Sequence, residues 1–141
     1  MKKFISVFLA LALCFSVLGA PASAAVEDDA IMPRYTNATM AQVTLVIDDN
    51  GLATINSYCS AIPGTTWIRA TTYLEKKVNG TWTRVDILST DDQWVTMINT
   101  RVFSVTKTHQ LTGRGTYRAV TTFDVIAGTT ETITVMFQAT Y

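Results

Sequence analysis

Residues 67–87 read WIRATTYLEKKVNGTWTRVDI, and the fold class follows from how this stretch alternates and turns. Ile68, Ala70, Thr72 and Leu74 alternate with Trp67, Arg69, Thr71, Tyr73 and Glu75. A period of two sends one set toward a core and the other toward solvent, as in a half-buried strand. Asn79-Gly80 follows, a pair suited to the left-handed backbone of a two-residue hairpin loop. A loop of that length fixes the register: Val78 faces Thr81, Lys77 faces Trp82, Glu75 faces Arg84, Leu74 faces Val85 and Thr72 faces Ile87. The pairs make chemical sense. Leu74/Val85 and Thr72/Ile87 fall on the inner face, whereas the opposite charges Glu75/Arg84 and the cation–aromatic pair Lys77/Trp82 fall on the outer. Such cross-strand pairs contribute about 0.2–1 kcal/mol each.

The same alternation extends in both directions. Upstream, Ala41, Val43, Leu45 and Ile47 lead into the turn Asp48-Asp49-Asn50-Gly51, and Ala53, Ile55, Ser57 and Cys59 line one face of a strand that Pro63 and Gly64 end. Downstream, Trp94, Thr96 and Ile98 suit one short strand and Phe103 and Val105 another, divided near Asn99. Gly113-Arg114-Gly115 then precedes Tyr117, Ala119, Thr121 and Phe123, and Ala127-Gly128 joins that strand to Ile133, Val135, Phe137 and Ala139 in a closing hairpin. Threonine and aromatic residues are frequent, and helical spacing is missing downstream of the leader. These signals predict an all-β fold, a two-sheet antiparallel sandwich of about seven to eight strands, with no intradomain disulfide.

The N-terminus has a different character. Met1, Lys2 and Lys3 precede an apolar run from Phe4 to Leu18, then Gly19, Ala20, Pro21 and the triplet Ala22-Ser23-Ala24. This is the pattern of a bacterial-type secretory signal cleaved after Ala24. The run is shorter than the roughly 20 apolar residues of a membrane span, and Leu13 before Cys14 does not suit a lipobox. The expected organisation is therefore a signal peptide at 1–24, a flexible arm at 25–39 containing Glu27-Asp28-Asp29, and a sandwich domain at 40–141. The expected product is extracellular and not membrane-bound after cleavage.

Removal of Lys2 and Lys3 would leave nine basic against eleven acidic residues, a formal charge of −2. That balance gives no long-range attraction for nucleic acid or an anionic membrane. It would also remove Cys14 and leave Cys59 as the one cysteine.

Gly115-Thr116-Tyr117-Arg118-Ala119 resembles the G-x-Y-x-C stretch of immunoglobulin-like domains, in which the tyrosine folds back to hydrogen-bond at a strand corner. The resemblance sets Ala119 in the place of the second cysteine, Cys59 in that of the first and Trp67 on the strand after it. The layout also resembles small secreted β-sandwich proteins of Gram-positive bacteria, through Pro33-Arg34-Tyr35 and the Lys-x-x-Gly-x-Trp hairpin from Lys77 to Trp82. That resemblance implies an immunoglobulin-like sandwich and no activity.

Chemistry is sparsely written. His109 is the one histidine, which leaves no His-rich zinc site, and Cys59 falls in the inner set with Ile55. Asp48/Asp49 and Asp91/Asp92 fall in turns, where aspartate is favoured for backbone hydrogen bonding. Asp48, Asp49 and Asn50 lack the spacing of a calcium loop. No catalytic set, metal site or cofactor is expected. Trp82 and Tyr73 fall on the outer face and Trp94 begins a strand; flat rings among polar side chains stack on sugars or anchor a protein interface, or simply pack on neighbours such as Lys77.

The expected function is a secreted, non-enzymatic module that binds a protein or glycan outside the cell, with Trp82, Tyr73 and Trp94 as candidate contacts. Two alternatives remain open. One is a small hydrolase using two of Asp48, Asp49, Asp86, Asp91, Asp92 and Asp124; the other is a self-associating surface or spore-layer protein.

Overall fold

The computed structural model describes residues 34–87 and 91–141. The leader at 1–24 and most of the expected arm lie outside these residues. Among the described residues eight strands form: β1 (Ala38–Ile47), β2 (Leu52–Ala61), β3 (Trp67–Val78), β4 (Thr81–Arg84), β5 (Trp94–Ile98), β6 (Val102–Gln110), β7 (Thr116–Ala127) and β8 (Thr129–Thr140). The smaller sheet has the order β1-β2-β6; the larger has β4-β3-β7-β8, with β5 also paired to β3. All pairings are antiparallel. With β1, β2, β6 as strands A, B, E and β4, β3, β7, β8 as C′, C, F, G, this is an immunoglobulin-like sandwich.

Alternation decides which side chains meet between the sheets. Ala53, Ile55, Ser57 and Cys59 of β2, and Ile68, Ala70, Thr72 and Leu74 of β3, are all buried. Two apolar clusters result. One gathers Val43, Leu45, Ala53, Ile55, Leu74, Ile87, Leu111, Tyr117 and Ala119; the other gathers Ala38, Cys59, Ile68, Ala70, Phe103, Phe123, Val125 and Ile133. Phe103 and Phe123 meet edge to face across the sheets, with centroids 5.7 Å apart. Three buried hydroxyls, on Ser57, Thr72 and Thr121, also meet in the interior, with separations of 2.9–3.3 Å. Each hydroxyl has partners, so their burial avoids the cost of an unmade hydrogen bond.

Turn chemistry sets the registers. Asn79 and Gly80 have φ of 50° and 85°, and the β3–β4 ladder pairs Glu75 with Arg84, Lys77 with Trp82 and Val78 with Thr81. The Val85 N–H donates to the Leu74 carbonyl at 3.0 Å, extending the hairpin by one step. Beyond it the expected register fails: Thr72 pairs with Trp94 of β5, not with Ile87. Strand β4 ends at Arg84, and the other half of the β3 edge is taken by β5. At the β1–β2 turn, Gly51 has φ of 81°, and a Cβ there would sit 2.8 Å from the Tyr141 ring. Glycine is required at that position on both counts.

The corner expected from Gly115 to Ala119 is present, with the Tyr117 hydroxyl donating to the Gly113 carbonyl. The expected correspondence of Cys59 with Ala119 does not hold, because the two belong to different core clusters. Trp67 is 39% exposed and on the outward row, while Ile68 beside it is fully buried. The first strand begins at Ala38, inside the stretch read as an arm. The N–H groups of Thr36, Asn37 and Ala38 donate to the Glu131 carboxylate at 2.6–3.1 Å, and the buried Asn37 amide donates to the carbonyls of Val125 and Thr129.

Candidate functional site

The inner row of β3 changes from apolar to polar along its length. Leu74 is buried, but Lys76 and Val78 continue the same row where interior packing ends. On β6 the equivalent row runs from Phe103 through Val105 to Lys107 and His109, which pair with Ile55 and Ala53 of β2. Between hairpin and β6 lies a cleft of about 360 Å³, lined by Lys76, Val78, Thr83, Arg84, Val85, Asp86, His109 and Thr112. That volume is within the range of small-ligand sites, about 300–1,000 Å³.

The polar lining includes Lys76, Arg84, His109 and Asp86. Lys76 places Nζ 5.3 Å from the centroid of the Tyr117 ring, the same ring that forms the corner. Arg84 lies between two carboxylates, Asp92 at 3.4 Å and Glu75 at 3.9 Å. Burial lowers the pKa of His109, so its neutral form is favoured. Among the described residues Asp86 is the one carboxylate in the lining, and the hydroxyls of Thr83 and Thr112 add donors and acceptors.

The candidate aromatics divide between the two faces of the larger sheet. Trp82 and Tyr73 lie on the outward row, as expected, but each has a cation over its ring. Arg84 lies 3.1 Å from the Tyr73 centroid; Arg118 and Lys77 lie 4.4 and 5.7 Å from that of Trp82. Arg118 also bonds to Glu75 through its Nε. The rings are therefore components of a cation–aromatic layer that stiffens the hairpin. Trp94 begins β5, as expected; its partner is the buried Thr72, and it packs against the first core cluster. On its short strand the outward residues are Val95 and Met97, respectively 48% and 50% exposed.

Asp48 and Asp124 are taken up by local hydrogen bonds. The Asp48 Oδ1 accepts N–H bonds from Asn50 and Leu52 at 2.9 and 2.8 Å, and Asp124 accepts from the Thr132 hydroxyl on β8. Among the described residues, no three His, Cys, Asp or Glu side chains gather in one place. Cys59 is fully buried, and its thiol pKa is raised to about 11, first by burial and then by the charge of Glu131.

Sequence reasoning missed the cleft. Its walls come from the two outer strands of opposite sheets, and the one local signal was polar residues at inner-row positions, Lys76, Lys107 and His109.

No family model matches the chain, and no curated protein does. Among solved structures, the CARDB domain of the PF1109 protein from Pyrococcus furiosus, in complex with di-metal ions, is similar at 16% identity and a TM-score of 0.46. The match covers 77% of this chain and 96% of that one.

Proposed function

We propose that this chain is an exported, non-enzymatic sandwich module that takes an acidic group of a protein or glycan into the cleft between the β3–β4 hairpin and β6. The observation that carries the reading is the composition of the cleft: the Lys76 ammonium, His109 and the hydroxyls of Thr83 and Thr112 line it, Asp86 is the one carboxylate in the lining among the described residues, and Val78 and Val85 supply apolar wall. A carboxylate entering there meets an ammonium group and two threonine hydroxyls, contacts that gain strength when one partner is charged. The Arg84 guanidinium lies on the outward face, over Tyr73 and between Glu75 and Asp92, so it adds no free charge to the cleft. That suits a single acidic group better than the continuous charge of nucleic acid or a membrane. The signal-like pattern of residues 1–24 supports a partner outside the cell.

The carboxylate hydrolase is the weaker reading, because glycosidic cleavage needs two carboxyl groups across one cleft and this lining supplies Asp86. The test is to screen the purified protein over glycan arrays and acidic peptides. Binding at micromolar concentration is expected to uronic-acid glycans or Asp/Glu-rich peptides, weakened about tenfold by Lys76→Ala and little changed by Trp82→Ala. No binding, or equal binding by Lys76→Ala, would overturn the proposal.

A further inference from the structure

The two flanks of the sandwich are built differently. On the flank with the cleft, β4 and β5 are only four and five residues long, and β6 carries Lys107 and His109 at inward positions. Short edges and inward charges are features that discourage strand addition. The opposite flank is made by β1 and β8, of 10 and 12 residues. Strand β1 has no charged residue and β8 has only Glu131, at its start. The same two strands carry Met40, Val46, Met136 and Phe137, each between 46% and 61% exposed.

Hydrogen-bond phase shows which β8 groups are unused by the larger sheet. Gly115 and Tyr141 exchange N–H bonds at 3.2 and 3.0 Å, in line with the β7–β8 register. Bonded pairs recur every second residue in an antiparallel ladder. The odd-numbered residues of β8 therefore bond to β7, and Thr130, Thr132, Thr134, Met136 and Gln138 turn their N–H and C=O groups to the open edge. The ladder has no register shift along this strand.

We propose that β8 pairs antiparallel with β8 of a second copy of this chain, joining the two larger sheets across a two-fold axis. A register centred on Val135 sets Thr134 opposite Met136 and Ile133 opposite Phe137, which covers the exposed Phe137 ring. Glu131 falls opposite Ala139, so no like charges meet. A self-pair needs the same patch to complement itself, and this near-neutral row does so. The inference is independent of the cleft, which lies on the other flank.

The experiment is sedimentation equilibrium of the purified protein across micromolar to millimolar concentration, with three variants whose folding is checked by circular dichroism. The wild type is expected to form a dimer. Met136→Pro removes an N–H that serves only the open edge, and Thr134→Lys places two cations beside the axis. Each is expected to weaken dimerisation by about tenfold or more. Ser104→Lys, on the exposed row of β6, is expected to leave it unchanged. A monomeric wild type, or a dimer lost in Ser104→Lys and kept in both β8 variants, would overturn the proposal.

Discussion

The Ser57 hydroxyl lies 2.9 Å from that of Thr121, joining β2 of one sheet to β7 of the other in the dry interior. Thr72 closes a triangle with both, at 3.3 and 2.9 Å. In immunoglobulin domains a disulfide links these same two strands; here a polar contact does so.

Removing one corner of the triangle leaves buried hydroxyls short of a partner. Thr121→Val is therefore expected to cost about 1–3 kcal/mol in chemical denaturation. The combined variant Ser57→Ala, Thr72→Val, Thr121→Val should cost less than the sum of the three single changes, because no orphaned group remains. Simple additivity would contradict the account.

Tyr117→Phe tests the corner. The ring is 1% exposed and its hydroxyl bonds to Gly113. Loss of that bond should cost about 1 kcal/mol and, through the ring beneath Lys76 Nζ, loosen the cleft wall. A melting curve identical to wild type would show the corner to be dispensable.

Glu131 ties the start of β1 to β8, and this makes part of the stability depend on pH. Burial alone would raise its pKa, but N–H bonds from Thr36, Asn37 and Ala38 outweigh that and hold it below the usual carboxylate value. A group depressed in the folded state stabilises above its unfolded pKa, and that contribution is lost as pH falls through the folded value. Stability should accordingly decline below about pH 4, and Glu131→Gln should remove part of the decline while lowering stability at neutral pH. An unchanged pH profile in the variant would contradict the clamp.

Cys59 should be silent to thiol reagents in the native protein. It is fully buried and its pKa is raised to about 11, so thiolate and access are both lacking. Labelling in denaturant should be rapid, and native labelling should follow the rate of unfolding.

What could be read from sequence was whatever one strand or one turn decides. The inward rows of β2, β3 and β7 and the Asn79-Gly80 register each follow from local alternation and φ. The row of Trp94 was not legible because WVTMI is apolar on both rows, so its phase is set by pairing with β3, a long-range event. The same limit hid the hydroxyl triangle and the Glu131 clamp, whose partners lie 15–95 residues apart. The cleft was hidden because no single segment contains both walls.

An acidic group taken into the cleft would lie beside His109, whose pKa is lowered by burial. A nearby anion favours the charged imidazolium, so binding should raise that pKa. The direct measurement is an NMR pH titration of the His109 ring, alone and saturated with glucuronate or a poly-aspartate peptide. The account predicts an upward shift on binding that Lys76→Ala diminishes; saturation by either probe with the His109 titration unmoved would contradict it.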